Sequence, residues 1–399
     1  MRIAVFIKRT TLHKGYGGIE TQNKVLCEGL AKRGHELVVF SPQRELSQST
    51  WQQNGVSYCF VSCSFRSYFG FEDLIKTNWS NRSYREFESE HHKKQFNVIL
   101  SQSSAGIGVI KRKSLLGVPI LAIAHGTVIS EYLTFLREVN FINPFSILKF
   151  IKNTGFVAVN FFTRQRQYIH GADKVIAVSS YVKRALIDET FVAQEKIEIV
   201  HNGIDELPEI GAVEASPSIE RLHFLYVGRL EKSKGVLFLL DILSDKRFEG
   251  IVVDVIGDGP LRSTLTSVAA KKGISKRFVV YGQMSHEAVL QFMSTQGPFV
   301  FVFPTLRVEG FPMALVEAMA AGLPTVASDI GGVADAVVNE VTGFLCRPGD
   351  VEDLKSKLEK LMNDSALTQK LGAAGRQKAL LEFSIDGMLN AYERIIVSL

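Results

Sequence analysis

The sequence predicts an α/β protein made of two doubly wound parallel-sheet domains in tandem. Three observations carry this: short apolar runs alternate with helical patterns through the first half, the pattern breaks near residues 203–221, and the same alternation then resumes. A chain of 399 residues also exceeds what one hydrophobic core comfortably organises. The expected division is an N-terminal Rossmann-like domain over 1–205, a linker over 206–221, a C-terminal domain over 222–380, and a last helix over 381–399 packing back on the N-terminal domain.

In the first half, "RIAVFI" (2–7) and "ELVVF" (36–40) read as strands around a helix that carries Ile19, Val25, Leu26 and Leu30 and stops at Gly34, a β-α-β unit. Strands follow at "VSYCFV" (56–61), "NVILSQ" (97–102), "PILAIAH" (119–125), "KVIAVS" (174–179) and "KIEIVHN" (196–202). Continuously apolar strands alternating with helices imply a parallel sheet covered on both faces. The stretch "GIDELPEIGAVEASPSIE" is rich in Gly, Pro, Ser and acids and aperiodic, as a linker is. Six more strands follow: "LHFLYVG" (222–228), "GIVVDVIG" (250–257), "FVVYG" (278–282), "FVFVFP" (299–304), "PTVAS" (324–328) and "GFLCRP" (343–348). From Val351 the chain reads as helix, with breaks expected at Gly372, Gly375 and Gly387. Two such domains leave a cleft between the carboxyl ends of their sheets, the default place for a ligand.

Composition excludes several classes. With 46% hydrophobic and 22% charged residues the chain is neither disordered nor fibrous, and no run of 18 apolar residues suggests a spanning helix. Four cysteines without a Cys-x-x-Cys pair suit a reducing compartment, and the apolar run after Arg2 is too short for a signal peptide, so a cytoplasmic location is expected. The net charge of +5 divides unevenly: residues 1–205 hold 26 Lys and Arg against 17 Asp and Glu, or +9, leaving −4 for the remainder. The first half is suited to an anionic surface or ligand, or carries a solvated basic face.

The densest chemistry lies in the second half. In "GRLEKSKG" (228–235), a guanidinium fork at Arg229 and a point charge at Lys234 suit a diphosphate. "IGDGP" (256–260) lacks the third glycine of a dinucleotide fingerprint and reads as a tight strand-to-helix turn. In "EGFPMALVE" (309–317), a helix is expected to begin close to Phe311 with Pro312 in its first turn, and its N–H groups form an anion site. Glu309 and Glu317, roughly 12 Å apart at helical rise, would flank the diphosphate and bind neutral hydroxyls. A sugar on one side and a ribose on the other describe a nucleotide sugar. In the first half, Gly17 and Gly18 of "KGYGGIE" let backbone approach a ligand closely, and His125 of "AHG" stands at a strand's carboxyl end.

In the order "GGIE", "AHG", "HNGID", "GRLEKSKG", "IGDGP", "EGFPMALVEAMAAGLPTVAS", "DIGGVADAV", these segments resemble the retaining glycosyltransferases of family four (glycosyl transferases group 1), with the GT-B fold of two Rossmann-like domains facing a central cleft. The resemblance implies an acceptor-binding first domain and a donor-binding second. It implies that Arg229 and Lys234 hold the donor diphosphate, Glu309 the sugar hydroxyls and Glu317 the ribose. Gly310, Phe311 and Pro312 would offer backbone to phosphate and sugar, and Gly282, Gln283 and Met284 would line the base pocket. Gly17 and Gly18 would approach the phosphates, with His125 near the reacting sugar. His201 stands where many members have proline, which touches only the local turn. The implied enzyme is a retaining hexosyltransferase for cell-surface polysaccharide or lipopolysaccharide, needing no metal or cofactor besides a UDP- or GDP-sugar as donor substrate, and no nucleic acid. A sugar-nucleotide epimerase or a non-catalytic binding protein on the same architecture are the alternatives.

On the acceptor side, residues 131–170 contain seven of the 27 phenylalanines and five basic residues against two acids, one or two apolar helices interrupted at Gly155. With the +9 of this half, they suggest peripheral contact with an anionic membrane and a lipid-linked acceptor, or a buried helix pair.

Overall fold

A computed structural model describes residues 1–15, 17–65, 75–137, 144–204, 223–295 and 299–399. The linker expected over 206–221 lies outside them, as do residues 138–143 of the expected acceptor-side helices. The chain forms two units: Met1–Gly203 with Ile385–Leu399, and Ile204–Ser384.

The first unit contains β1 (Arg2–Phe6), β2 (Glu36–Pro42), β3 (Thr50–Gln53), β4 (Val56–Val61), β5 (Val98–Gln102), β6 (Ile120–Ala124), β7 (Lys174–Ala177) and β8 (Ile197–Ile199), in the order β3-β4-β2-β1-β5-β6-β7-β8. All pairs are parallel except β3 with β4. The second unit contains β9 (His223–Val227), β10 (Val252–Ile256), β11 (Phe278–Gly282), β12 (Phe299–Phe303), β13 (Thr325–Ser328) and β14 (Phe344–Cys346), all parallel, in the order β11-β10-β9-β12-β13-β14. The fold class is α/β with two Rossmann-like parallel sheets. In each sheet the order reverses beside the first strand, and ligands of such sheets bind at that switch point. Strand burial follows the sequence: β1, β5, β6 and β12 are buried at every position.

One strand was not expected, and three local expectations are corrected. The edge strand β3, "TWQQ", is exposed, and its single apolar side chain, Trp51, makes no apolar run or alternation. Gly372 and Gly375 do not break the C-terminal helix but lie inside Ser365–Glu382, because a Cβ at Gly372 would stand 2.4 Å from the Gly322 carbonyl oxygen and one at Gly375 3.0 Å from that of Thr342. They allow a helix to pack against backbone. Gly387 likewise lies within Ile385–Val397, and the helices part instead near Asp364 and Ser384. Gly155 does not interrupt Pro144–Asn160.

The last helix joins the first unit through Arg33, which bonds Asp386 and Glu393 at 2.7 Å each, and through Leu389, which fills the space a side chain at Gly29 would need.

Candidate functional site

In the second unit the site grows from two neighbouring strands. β9 and β12 pair in parallel, Phe299 opposite His223, so the loops leaving their carboxyl ends, 228–235 and 304–312, lie side by side. Backbone welds them together: Leu306 N–H donates to the Ser233 carbonyl at 2.8 Å, and a Cβ on Gly235, whose φ is +68°, would fall 1.9 Å from the Pro304 oxygen. Only glycine fits that turn. "IGDGP" supports the first loop from beneath, with Leu230 N–H donating to Asp258 O at 3.0 Å and Gly257 packed on the Gly228 carbonyl.

This scaffold brings Lys234 and Glu309 together. Lys234 Nζ donates to Glu309 Oε1 at 2.7 Å, the side chains being 18% and 12% exposed. The Thr305 hydroxyl, fully buried, donates to the same oxygen at 3.0 Å. Glu309's backbone is clamped from "DIGG": Gly332 N–H donates to its carbonyl at 2.8 Å, and at Gly331 (φ +63°) a Cβ would lie 2.3 Å from that oxygen. The ammonium beside Glu309 offsets the charge of its carboxylate. Tyr226, below the loop, has its phenol pushed up by burial, then by the charge of Glu309, and donates to the Arg229 carbonyl at 2.9 Å. The Arg229 guanidinium is 73% exposed and pairs with Glu231 at 2.7 Å.

The helix after this loop runs Met313–Ala320 with Pro312 at its cap, so it begins two residues later than expected and Pro312 precedes the first turn. Because Glu309–Pro312 is not helical, the helical-rise span of Glu309 to Glu317 does not apply. Gly310 is partly buried; the Phe311 ring turns inward against Phe383 at 5.1 Å and Pro312 is buried, so what this turn offers outward is backbone. Glu317 accepts from His286 Nε2 at 2.9 Å. His286 opens the helix His286–Thr295, which follows directly on Gly282 (φ +81°), the exposed Gln283 and the partly exposed Met284. The segment expected at the base and the carboxylate expected at the ribose are thereby joined.

In the first unit, Gly17 caps the helix Gly18–Lys32 with φ −141°, and its N–H donates to Glu20 Oε2 at 2.9 Å. A Cβ at Gly18 would meet nothing, so no crowding within this unit requires glycine there. His125, just after β6, is partly buried, and its Nε2 lies 2.6 Å from Gln102 Oε1. An amide oxygen only accepts, so His125 is the Nε2–H tautomer with Nδ1 left as an acceptor. Gln102 in turn donates to Asn23 Oδ1 at 2.9 Å, both being buried. Burial pushes the imidazole down to about 4, which keeps it neutral near pH 7. The next residues are fixed as well: Val128 N–H donates to Gln165 Oε1 at 2.6 Å within a π turn at Phe161–Gln165, and Thr127 donates to Glu189 at 2.7 Å.

Sequence reasoning missed Thr305, His286, Gln102 and Asn23. Each owes its place to a neighbouring strand or helix, which no local motif encodes.

Two family models match: Glycosyltransferase Family 4 over residues 16–206 and Glycosyl transferases group 1 over 215–378. The chain is 30% identical over 227 residues to an uncharacterized glycosyltransferase of Methanocaldococcus jannaschii, covering 56% of this chain and 60% of that one. It is 32% identical over 202 residues to the lipopolysaccharide 1,6-galactosyltransferase of Escherichia coli K12, covering 49% and 54%. It thus spans little more than half the length of these curated relatives. Among solved structures, the Anabaena protein HepE in complex with UDP-glucose superposes over 100% of both chains with a TM-score of 0.74 at 17% identity, a likeness of fold.

Proposed function

We propose, from the premise that the chain belongs to the group 1, family 4 glycosyltransferases, that it moves a hexosyl-type sugar from a UDP- or GDP-sugar to a hydroxyl of a glycan or lipid-linked acceptor, retaining the anomeric configuration. The observation that carries the reading is the Lys234–Glu309–Thr305 cluster, held by three backbone segments at the switch point of the second sheet. As the sugar leaves and becomes oxocarbenium-like, charge grows on the diphosphate; in this reading Lys234, Arg229 and the N–H groups at the start of Met313–Ala320 stabilise it and no metal is required. Glu309 is a poor nucleophile in this arrangement, since one of its oxygens already accepts from Lys234 and Thr305. Its role is to hold sugar hydroxyls, and the acceptor enters on the face the diphosphate leaves. Glu317, oriented by His286, accepts from the ribose. Neutral His125 presents Nδ1 to a sugar hydroxyl as an acceptor and is too weak a base to take its proton near pH 7.

The galactosyltransferase relative favours cell-surface polysaccharide or lipopolysaccharide as the product, made at the cytoplasmic side of the membrane, and the HepE likeness puts UDP-sugars first among donors to try. The test is incubation with a panel of labelled nucleotide sugars, with and without acceptor glycans and with chelator. Acceptor-dependent transfer that survives chelation is expected. Release of an epimerised sugar without acceptor would replace the reading with the epimerase, and binding without turnover with a non-catalytic protein.

A further inference from the structure

The strands β9, β10 and β11 lie side by side in parallel, with Ile256 opposite Gly282, so the loops after them leave from one end of the second sheet. "IGDGP" is the middle loop, and it is bonded on both sides: Leu261 N–H donates to the Leu230 carbonyl at 3.0 Å, and Gly257 N–H donates to that of Gly282 at 2.8 Å. The helix Arg262–Lys271 starts from this turn, so Arg262 arises between the loop that carries Arg229 and Lys234 and the segment Gly282–Met284.

The Arg262 side chain is held in place there. Its Nη1 donates to Asp258 Oδ2 at 2.9 Å, and Asp258 is itself fixed by the Gly259 N–H at 2.7 Å. The guanidinium fills the space that a side chain at Gly282 would take: a Cβ there would stand 3.4 Å from Nη2, 3.5 Å from Nη1 and 3.6 Å from Cζ. Gly282 is buried whereas the Arg262 side chain is 48% exposed, so what this position offers a ligand is the guanidinium and not glycine backbone. Among the described residues Nε and Nη2 have no hydrogen-bond partner, and their N–H groups remain as donors. An exposed Asp–Arg pair four residues apart is ordinarily a solvated surface feature. This one differs in its contact with Gly282, in the segment joined to Glu317 through His286.

On the transferase reading, the diphosphate lies at Lys234 and the ribose at Glu317, which leaves the base to the segment after β11. Resting on that reading, we propose that Arg262 selects the base of the donor, donating from Nη2 or Nε to a ring carbonyl oxygen of uracil or guanine. Adenine has no ring carbonyl and puts an amino group where guanine puts O6, so it sets donor against donor at the guanidinium.

Isothermal titration calorimetry with UDP, GDP and ADP tests this on the wild type and on Arg262→Ala, Arg262→Lys and Lys234→Ala. The wild type should bind UDP or GDP at least about tenfold more tightly than ADP, as one charge-assisted hydrogen bond provides. Arg262→Ala should lose about tenfold for the preferred nucleotide and keep its ADP affinity, which brings the two within about threefold. Arg262→Lys keeps the charge but not the planar fork and should bind like Arg262→Ala. The side chain is half exposed and Asp258 retains the Gly259 N–H, so both variants should melt with the wild type. Weakening of all three nucleotides alike by Arg262→Ala would place the cation at the phosphates and overturn the proposal. So would a wild type that binds ADP as tightly as UDP and GDP, or an Arg262→Ala variant with wild-type selectivity. Lys234→Ala should weaken all three alike; if it does so while Arg262→Ala changes nothing, the transferase reading stands without this base contact. Binding of none of the three overturns both.

Discussion

Replacing Lys234 by alanine tests the cluster at its centre. At 2.7 Å and an effective dielectric near 20, the ammonium and the Glu309 carboxylate attract by about 6 kcal/mol before desolvation is subtracted. Removing one partner of a fully buried pair typically costs about 3–5 kcal/mol. In this cluster the groups keep 18% and 12% of their exposure and Thr305 still donates to the carboxylate, so about 2–3 kcal/mol is expected. In a unit of this size that lowers the melting temperature by roughly 4–10 °C, leaving it folded at room temperature. On the transferase reading proposed above, in which Lys234 meets the charge that grows on the leaving diphosphate, turnover should suffer more, with a fall of about 10²–10³-fold in kcat. Release of nucleoside diphosphate and differential scanning fluorimetry read the two effects. Since Lys234 and Glu309 act as one unit, the double variant Lys234→Ala, Glu309→Ala should lose little more activity than either single one. A Lys234→Ala enzyme within about threefold of wild-type turnover would refute the reasoning.

Four further outcomes follow from the same geometry. On the same reading, Glu317→Ala removes the charged acceptor proposed for the ribose and should weaken nucleoside diphosphate binding about 10–100-fold by calorimetry, with unchanged affinity counting against the assignment. Gly235→Ala forces a Cβ into the Pro304 oxygen at positive φ and should destabilise the second unit by about 2–4 kcal/mol in urea unfolding; an unchanged midpoint would mean that the two loops are not welded together. For His125, burial puts the folded value near 4, below its ordinary 6.5, so the unfolded chain takes up the proton first. Stability should therefore fall as pH drops from 6.5 toward 4, by up to about 3 kcal/mol (2.5 units at 1.36 each). Gln102→Glu sets a carboxylate against Nε2 and should raise the His125 titration seen by NMR by about 1–3 units, narrowing that window; an unmoved titration would show that Gln102 does not position the ring.

The strands were legible because strands of a parallel sheet covered on both faces are continuously apolar, and the runs at 2–7, 97–102 and 299–304 need no tertiary knowledge to recognise. β3 was not, since an exposed edge strand has no apolar face to announce it. Glycine misled in the C-terminal helix: the local rule that it ends helices competes there with close packing, and the Gly322 and Thr342 carbonyls that decide the matter are remote in sequence. The site shows the same division. Arg229, Lys234, Glu309 and Glu317 stand in compact motifs after strands. Thr305 lies four residues from Glu309 yet means nothing until β12 is known to lie beside β9, and Asn23 meets Gln102 only because the helix after β1 packs near the end of β5. Side-chain convergence is a property of sheet order, which a single sequence does not spell out.

The measurement that bears most directly on the central claim is the anomeric configuration of the transferred sugar, read from the one-bond and vicinal couplings of the isolated product by NMR. Transfer on the diphosphate's own face predicts the donor's configuration in the product. An inverted product would contradict the roles of Lys234 and Glu309 in same-face transfer beside the departing diphosphate.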